Sequence, residues 1–325
     1  MSNLKSKAMQ IFAALAALCS ALPVQANDYP DRVVRLVVAY PPGGATDSAV
    51  RVVAERLQKL WGKTVVVENK PGASGRVAMA QVAKAPADGR TFVAVINSTI
   101  SDELLQAGEV GALSASRELV PVSTLCTTPA VLAVNKAFGV ETLAQYIALA
   151  KAKPGAVSFG STGNATSGHF FGELLKRQAG IEITHVPFPG EGPNVGNLLG
   201  GHVSSSFISA SGAKKIEATG KVTLIAISNR SSLLPNVPSF AELGVKGIDR
   251  DSWIGFLAPK ETPQAAIDSF AADLRQVLAQ ADVRERFVGL GVLAMGSTPQ
   301  EFEQRIQADK AYWAEAIKTT GIKLN

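Results

Sequence analysis

From Val33 onward, short apolar runs alternate with amphipathic stretches, and this alternation confines the chain to an α/β architecture. Val33 to Tyr40 is a near-continuous apolar run, the pattern of a strand covered on both faces. Val50, Val53, Leu57 and Leu60 follow at three- and four-residue steps, which predicts a helix that Gly62 stops. Strands are predicted over Thr64–Val67, Phe92–Ile96, Val131–Val134, Val157–Phe159, Ile183–Val186 and Val222–Ile227. Helices fit residues 76–84, Thr142–Lys153 and Gly168–Ala179, and Thr142 with Gln145 has capping-box spacing. Thr262-Pro263 predicts an N-cap followed by a first-turn proline, and Thr298-Pro299-Gln300-Glu301 repeats the device. The alternation predicts mostly parallel sheets.

A chain of 325 residues exceeds one ordinary core and predicts two domains. No low-complexity linker separates them, so strands that cross between lobes are expected. The expected division places 27–125 and 250–325 in a discontinuous first lobe and 126–249 in the second. Residues 1–26 read as a signal peptide: Lys5 and Lys7 form a basic start, Ile11 to Leu22 an apolar core too short to span a bilayer comfortably, and Val24-Gln25-Ala26 a cleavage site before Asn27. Cys19 is preceded by Leu18, where a lipobox needs a small residue. Export without an anchor predicts a periplasmic or secreted, soluble protein.

Removing the signal leaves 30 basic and 27 acidic side chains, a net charge of +3. That is no nucleic-acid footprint, and no basic run interleaves with aromatics. Cys126 then stands alone and reads as a small core residue. His169, His185 and His202 lack metal-ligand spacing, and no metal or cofactor is expected.

Two glycine- and hydroxyl-rich loops stand between strand and helix. One is Tyr40-Pro41-Pro42-Gly43-Gly44-Ala45-Thr46-Asp47. The other runs from Gly160 through Ser161, Thr162, Gly163, Asn164, Ala165, Thr166 and Ser167 to Gly168. A helix N-terminus presents unpaired N–H groups and a partial positive charge, and glycine lets the backbone approach a ligand. Such loops make anion sites beyond the carboxyl ends of strands. Either loop alone also reads as a plain βα turn. Neither contains Lys or Arg, so a carboxylate would rest on neutral donors and waters. Asp47 reads as a first-turn cap rather than a catalytic base. Pro71 to Gly75 is a third glycine loop.

The chain contains no phosphate loop, no G-x-G-x-x-G, no G-x-S-x-G and no H-E-x-x-H pattern. Ser161 with His169 is the one pair that would suit a secreted α/β hydrolase, and nothing in the sequence supplies an orienting acid.

Pro41 to Asp47, Val65-Val66-Val67-Glu68-Asn69-Lys70-Pro71-Gly72 and Asp88-Gly89 resemble the N-terminal half of the Bug receptors, the solute-binding proteins of tripartite tricarboxylate transporters. The resemblance continues through Gly160 to Gly163, His185-Val186-Pro187-Phe188, Leu198 to Gly201, Pro235 to Ser239 and Ala258-Pro259. It implies a type II periplasmic-binding fold, a Venus flytrap of two α/β lobes around a cleft. It implies a receptor for a dicarboxylate, tricarboxylate, amino acid or aromatic acid; a monomer without catalytic activity is expected. The partners implied are membrane permease subunits or a sensor kinase, the latter as a regulatory module without transport. Closure would pivot near Val122–Thr128 and Ser239–Trp253.

The residues expected at the ligand are Tyr40, Pro42, Gly43, Gly44, Ala45, Thr46, Asp47, Asn97, Ser98, Ser161, Thr162, Gly163, Ala165, Thr166, Ser167 and Phe188. Two positions depart from the family pattern. Phe188-Pro189-Gly190 replaces a Tyr-led segment, and Ser204 to Ser206 stand where an Asp is common. The loss of a hydroxyl at Phe188 predicts a less polar distal end.

Overall fold

The computed structural model describes residues 29–105 and 118–322. The signal-peptide residues 1–26 and Cys19 lie outside them. The chain runs β1 (Val34–Val38), α1 (Ala45–Trp61), β2 (Val65–Asn69), α2 (Arg76–Ala83), β3 (Thr91–Ile96), α3 (Ser98–Leu105) and β4 (Leu119–Thr128). It continues through β5 (Ala130–Asn135), α4 (Leu143–Ala152), β6 (Val157–Ser161), α5 (Ser167–Ala179), β7 (Ile183–Pro187), α6 (Glu191–Leu199), β8 (Ser205–Ser209), α7 (Ala210–Glu217) and β9 (Val222–Ile227). It closes with β10 (Ser252–Pro259), α8 (Gln264–Leu278), α9 (Ala281–Leu290), β11 (Leu293–Ala294) and α10 (Pro299–Thr320).

The strands form two sheets, ordered β11-β4-β10-β3-β1-β2 and β7-β6-β8-β5-β9. The first sheet is covered on both faces, as the apolar run in β1 requires. Leu36 and Val38 face Val53, Leu57 and Phe270, while Val37 faces Met79 and Val82. Cys126 is buried in this first core, as its apolar setting predicts, and burial pushes its thiol pKa up.

The sheets are mixed rather than mostly parallel. Of the nine strand pairings, β1–β2, β1–β3, β6–β7 and β6–β8 are parallel and five are antiparallel. β10 arrives from the other sheet and runs back between β3 and β4. β5 does the same beside β8 and β9. Alternation in sequence does not register such returning strands.

The expected lobe boundaries also differ from the sheets. β4 stays in the first sheet through Thr128, three residues beyond 125, and only Pro129 separates it from β5. Ser252 pairs with Thr128, so the two crossings lie side by side. The Ser228 hydroxyl links them, accepting from Ala130 N–H at 2.9 Å and donating to Asp251 at 2.8 Å.

The last helix serves both sheets. Its Phe302 packs edge-on against Trp253 of β10 at 4.9 Å, whereas Trp313 contacts Phe170 and Phe171 of α5 at 5.1 and 6.2 Å. Trp253 Nε1 donates to Asp309 at 2.7 Å in the same seam. Thr298 and Thr142 cap their helices with full capping boxes, as their spacing predicts. Thr262 does not cap. Pro263 takes the N-cap position of α8, and the buried Thr262 hydroxyl reaches no N–H of the first turn.

Candidate functional site

A cavity of about 180 Å³ opens between the two sheets beside the crossings. At ~30 Å³ per water, it holds roughly six solvent molecules or one compact organic acid. From the first sheet it is lined by Ile96, Asn97 and Ser98, where β3 passes into α3. From the crossings come Thr128, Pro129, Ala130 and Ser252. From the second sheet come Thr162, Thr166, Ser167 and Gly168, then Glu191, and then Phe207, Ile208 and Ser209.

The start of α5 explains the donors. Thr166 is its N-cap, but its hydroxyl donates to Gly163 O at 2.8 Å and gives the helix no side-chain cap. The first N–H groups of α5 therefore keep their partial positive charge and have no intrahelical acceptor. Thr166, Ser167 and Gly168 place them at the cavity wall. α3 brings a second helix N-terminus to the same space at Asn97 and Ser98. Asn97 is 2% exposed, and its Nδ2 has no partner among the described residues. An unpaired buried amide costs about 1–3 kcal/mol, which an acceptor supplied by a ligand would offset.

Ser161, Gly163 and Ala165 support this wall from behind and are not among its lining residues. Ser161 is fully buried, and its Oγ lies 2.7 Å from Nε2 of His185, not hydrogen-bonded to His169, the partner the hydrolase reading names. Its hydroxyl donates to Gly163 O at 2.9 Å and accepts from Gly163 N–H at 3.2 Å. The hydroxyl thus shares its one proton between Gly163 O and His185 Nε2, the tautomer of His185 setting which of the two it meets. His169 stacks on His185 at 3.8 Å and accepts the Ala165 N–H at 3.2 Å, which holds Ala165 at a φ of 58°. Burial brings both imidazoles down to about 4, with His169 adding to the effect at His185. No carboxylate hydrogen-bonds to either ring among the described residues. The arrangement is a brace for the loop.

Tyr40, Pro42, Gly43, Gly44, Ala45, Thr46 and Asp47 do not line this cavity. They are wired next to it. Tyr40 Oη accepts the Ile96 N–H at 3.2 Å, one residue before Asn97. Gly44 is the N-cap of α1 and makes no side-chain cap, so that helix also begins uncapped. Asp47 is the loop's tie, as the cap reading holds. It accepts from Gly43 N–H at 2.9 Å, Asn69 Nδ2 at 2.9 Å and Arg51 Nε at 3.0 Å. Burial pushes its carboxyl up, but these donors together hold it below the usual range. Phe188 is also outside the lining; its ring lies over Gly160, where an added Cβ would sit 3.1 Å away. Gly75, in the third glycine loop, faces Ala39 and the Tyr40 hydroxyl.

Sequence reasoning missed Glu191, Phe207, Ile208 and Ser209, whereas the crossing residues Thr128 and Ser252 lie inside the two hinge segments it expected. Glu191 stands one residue beyond the Phe188-Pro189-Gly190 departure and could have been found there.

The tripartite tricarboxylate transporter family receptor model, TctC, matches residues 49–322. The chain belongs to this family. Protein BugT of Bordetella pertussis is 33% identical over 316 residues, covering 97% of this chain and 96% of the relative. The solved structure of R. palustris Rpa4515 with adipate superposes with a TM-score of 0.79 at 30% identity, covering 91% and 99% of the two chains. MatC from Rhodopseudomonas palustris, with bound malate, gives 0.74 at 27% identity, covering 89% and 100%. TctC receptors are periplasmic solute-binding proteins, and the two-sheet architecture is theirs.

Proposed function

We propose that this TctC receptor captures a small carboxylated solute in the cavity between its sheets and delivers it to a tripartite transporter. The observation that carries the reading is the convergence of two helix N-termini, α3 and the uncapped α5, on a cavity lined by no Lys, Arg or His. Neutral N–H and O–H donors bind a carboxylate reversibly, and bridging waters add nearly as much enthalpy as direct contacts. Adipate and malate in two structural neighbours support the ligand class.

Closure would bend the paired crossings at Thr128–Ala130 and Asp251–Ser252. It would bring the Tyr40–Asp47 loop onto the ligand's carboxylate, opposite Thr162, Thr166 and Ser167. Residues 1–26 would direct export and be removed before Asn27. The division of labour would be two discontinuous or inserted lobes, 27–128 with 252–298 and 130–250, joined by α10.

The test is native mass spectrometry of the protein from its host, followed by thermal melting against a panel of carboxylic acids. A ligand that binds only the folded state raises the melting temperature with concentration. A saturable shift with one acid is expected. No shift with any acid, together with ester hydrolysis lost in Ser161→Ala, would replace the receptor by a hydrolase.

A further inference from the structure

One residue of the cavity is at odds with a site built only for anions. Glu191 is the sole charged side chain among the residues lining it. It forms no ion pair among the described residues. Its carboxylate accepts from Ser209 Oγ at 2.6 Å and Ser209 N–H at 3.3 Å. Each oxygen thus has one donor, and each has a second lone pair to offer. Glu191 is also the first residue of α6, where an acid complements the helix dipole. That bracing accounts for its place; Oε1 also packs against Gly212, and no donor other than Ser209 reaches either oxygen among the described residues.

A second observation is independent of the acid. Across the cavity, the buried Asn97 carries an Nδ2 donor without a partner. The walls therefore offer unmatched donors at Asn97 and the α5 N-terminus, and unmatched acceptors at Glu191. Pro129, Phe207 and Ile208 supply apolar surface in the same cavity. A ligand with two carboxylates would bring its second charge into a small space with Glu191, and nothing cationic there would offset the repulsion.

The geometry points to Glu191 as the specificity-determining counter-ion of the cleft, selecting a ligand that carries a protonated amine as well as a carboxylate. This rests on the receptor reading and narrows it. The carboxylate meets Asn97, Ser167 and the α5 N-terminus; the ammonium meets Glu191. In a partly desolvated site, a charge-assisted hydrogen bond to a carboxylate is about twice as strong as a neutral one. A diacid of equal length gains no such bond and meets like charge instead.

The test is calorimetric titration of the receptor and its Glu191→Gln variant with matched probes. 3-Aminopropanoate, 4-aminobutanoate and 5-aminopentanoate are set against succinate, glutarate and adipate, and leucine against 4-methylpentanoate. The wild type is expected to favour an amino acid over its matched acid by about tenfold or more. Glu191→Gln, which keeps an acceptor for Ser209, is expected to remove that preference while the diacids bind equally well or better. Equal weakening of both sets by Glu191→Gln would reduce Glu191 to a brace and overturn the assignment. So would a wild-type preference for the diacids, which decides the matter even if the variant does not fold. Failure of every probe, amino acid and acid alike, would instead sink the receptor reading itself.

Discussion

The Asp47 carboxylate accepts the Gly43 N–H at 2.9 Å, so the first turn of α1 closes the loop that leads into it. The same carboxylate holds Arg51 and Asn69. Asp47→Asn keeps the shape and loses one acceptor oxygen and the charge. We expect a stability loss of about 1–3 kcal/mol at neutral pH by urea unfolding. Because the folded carboxyl titrates below its ordinary value of 3.8, its contribution is complete above that value and disappears as pH falls through the folded one. The gap between wild type and variant should therefore close in acid. A gap that is constant from pH 7 to pH 2.5 would contradict the charge argument.

The stacked His169 and His185 predict the opposite end of an acid profile. Both titrate near 4 in the folded state against an ordinary 6.5. Between these values the unfolded chain binds more protons, so stability falls as pH drops from 6.5 towards 4. His185→Gln should lower stability at pH 7 by removing the stack and yet flatten the slope between pH 6.5 and 4.5. An unchanged slope, measured by denaturant midpoint at several pH values, would show that other groups set it.

Asn97→Ala separates binding from folding. The amide has no partner at Nδ2, so its removal should cost the unliganded protein less than about 1 kcal/mol. Ligand affinity should fall about tenfold. Loss of stability without loss of affinity would place Asn97 in the scaffold instead.

Two helical glycines test the packing. A Cβ on Gly172 would sit 2.0 Å from Phe159 Cε2, whereas one on Gly192 would meet nothing within 4 Å. Gly172→Ala is expected to cost about 1–3 kcal/mol through overpacking. Gly192→Ala should be neutral or stabilising by up to about 1 kcal/mol. Equal thermal melting temperatures for the two variants would contradict the close contact of α5 with β6.

Local signals were legible where they repeat at short range. The strand over Val222–Ile227 and the caps at Thr142 and Thr298 stand where their residues place them. So does the Gly160–Gly168 loop between strand and helix, because glycine and hydroxyl spacing is a local property. What required the fold was long-range. His185 reaches Ser161 across 24 residues, and Ser252 meets Thr128 across 124. Thr262 failed as a cap because the helix begins one residue later, after Pro263, and its hydroxyl is left without a partner. Phe188 and Glu191 lie three residues apart, one in the loop and the other at the start of α6, yet only the acid reaches the cavity wall. Side-chain identity alone does not decide that.

The place of β10 has a consequence in time. It sits between β3 and β4, which have no other way to join, and it follows β4 in the chain by more than a hundred residues. The first sheet therefore cannot assemble as it emerges, whereas β5 to β9 form a continuous stretch that can. The second sheet should acquire amide protection first in pulse-labelled hydrogen exchange, with β4 protected only together with β10. A chain that crosses a membrane before folding would arrive with half of its architecture waiting for its own later residues.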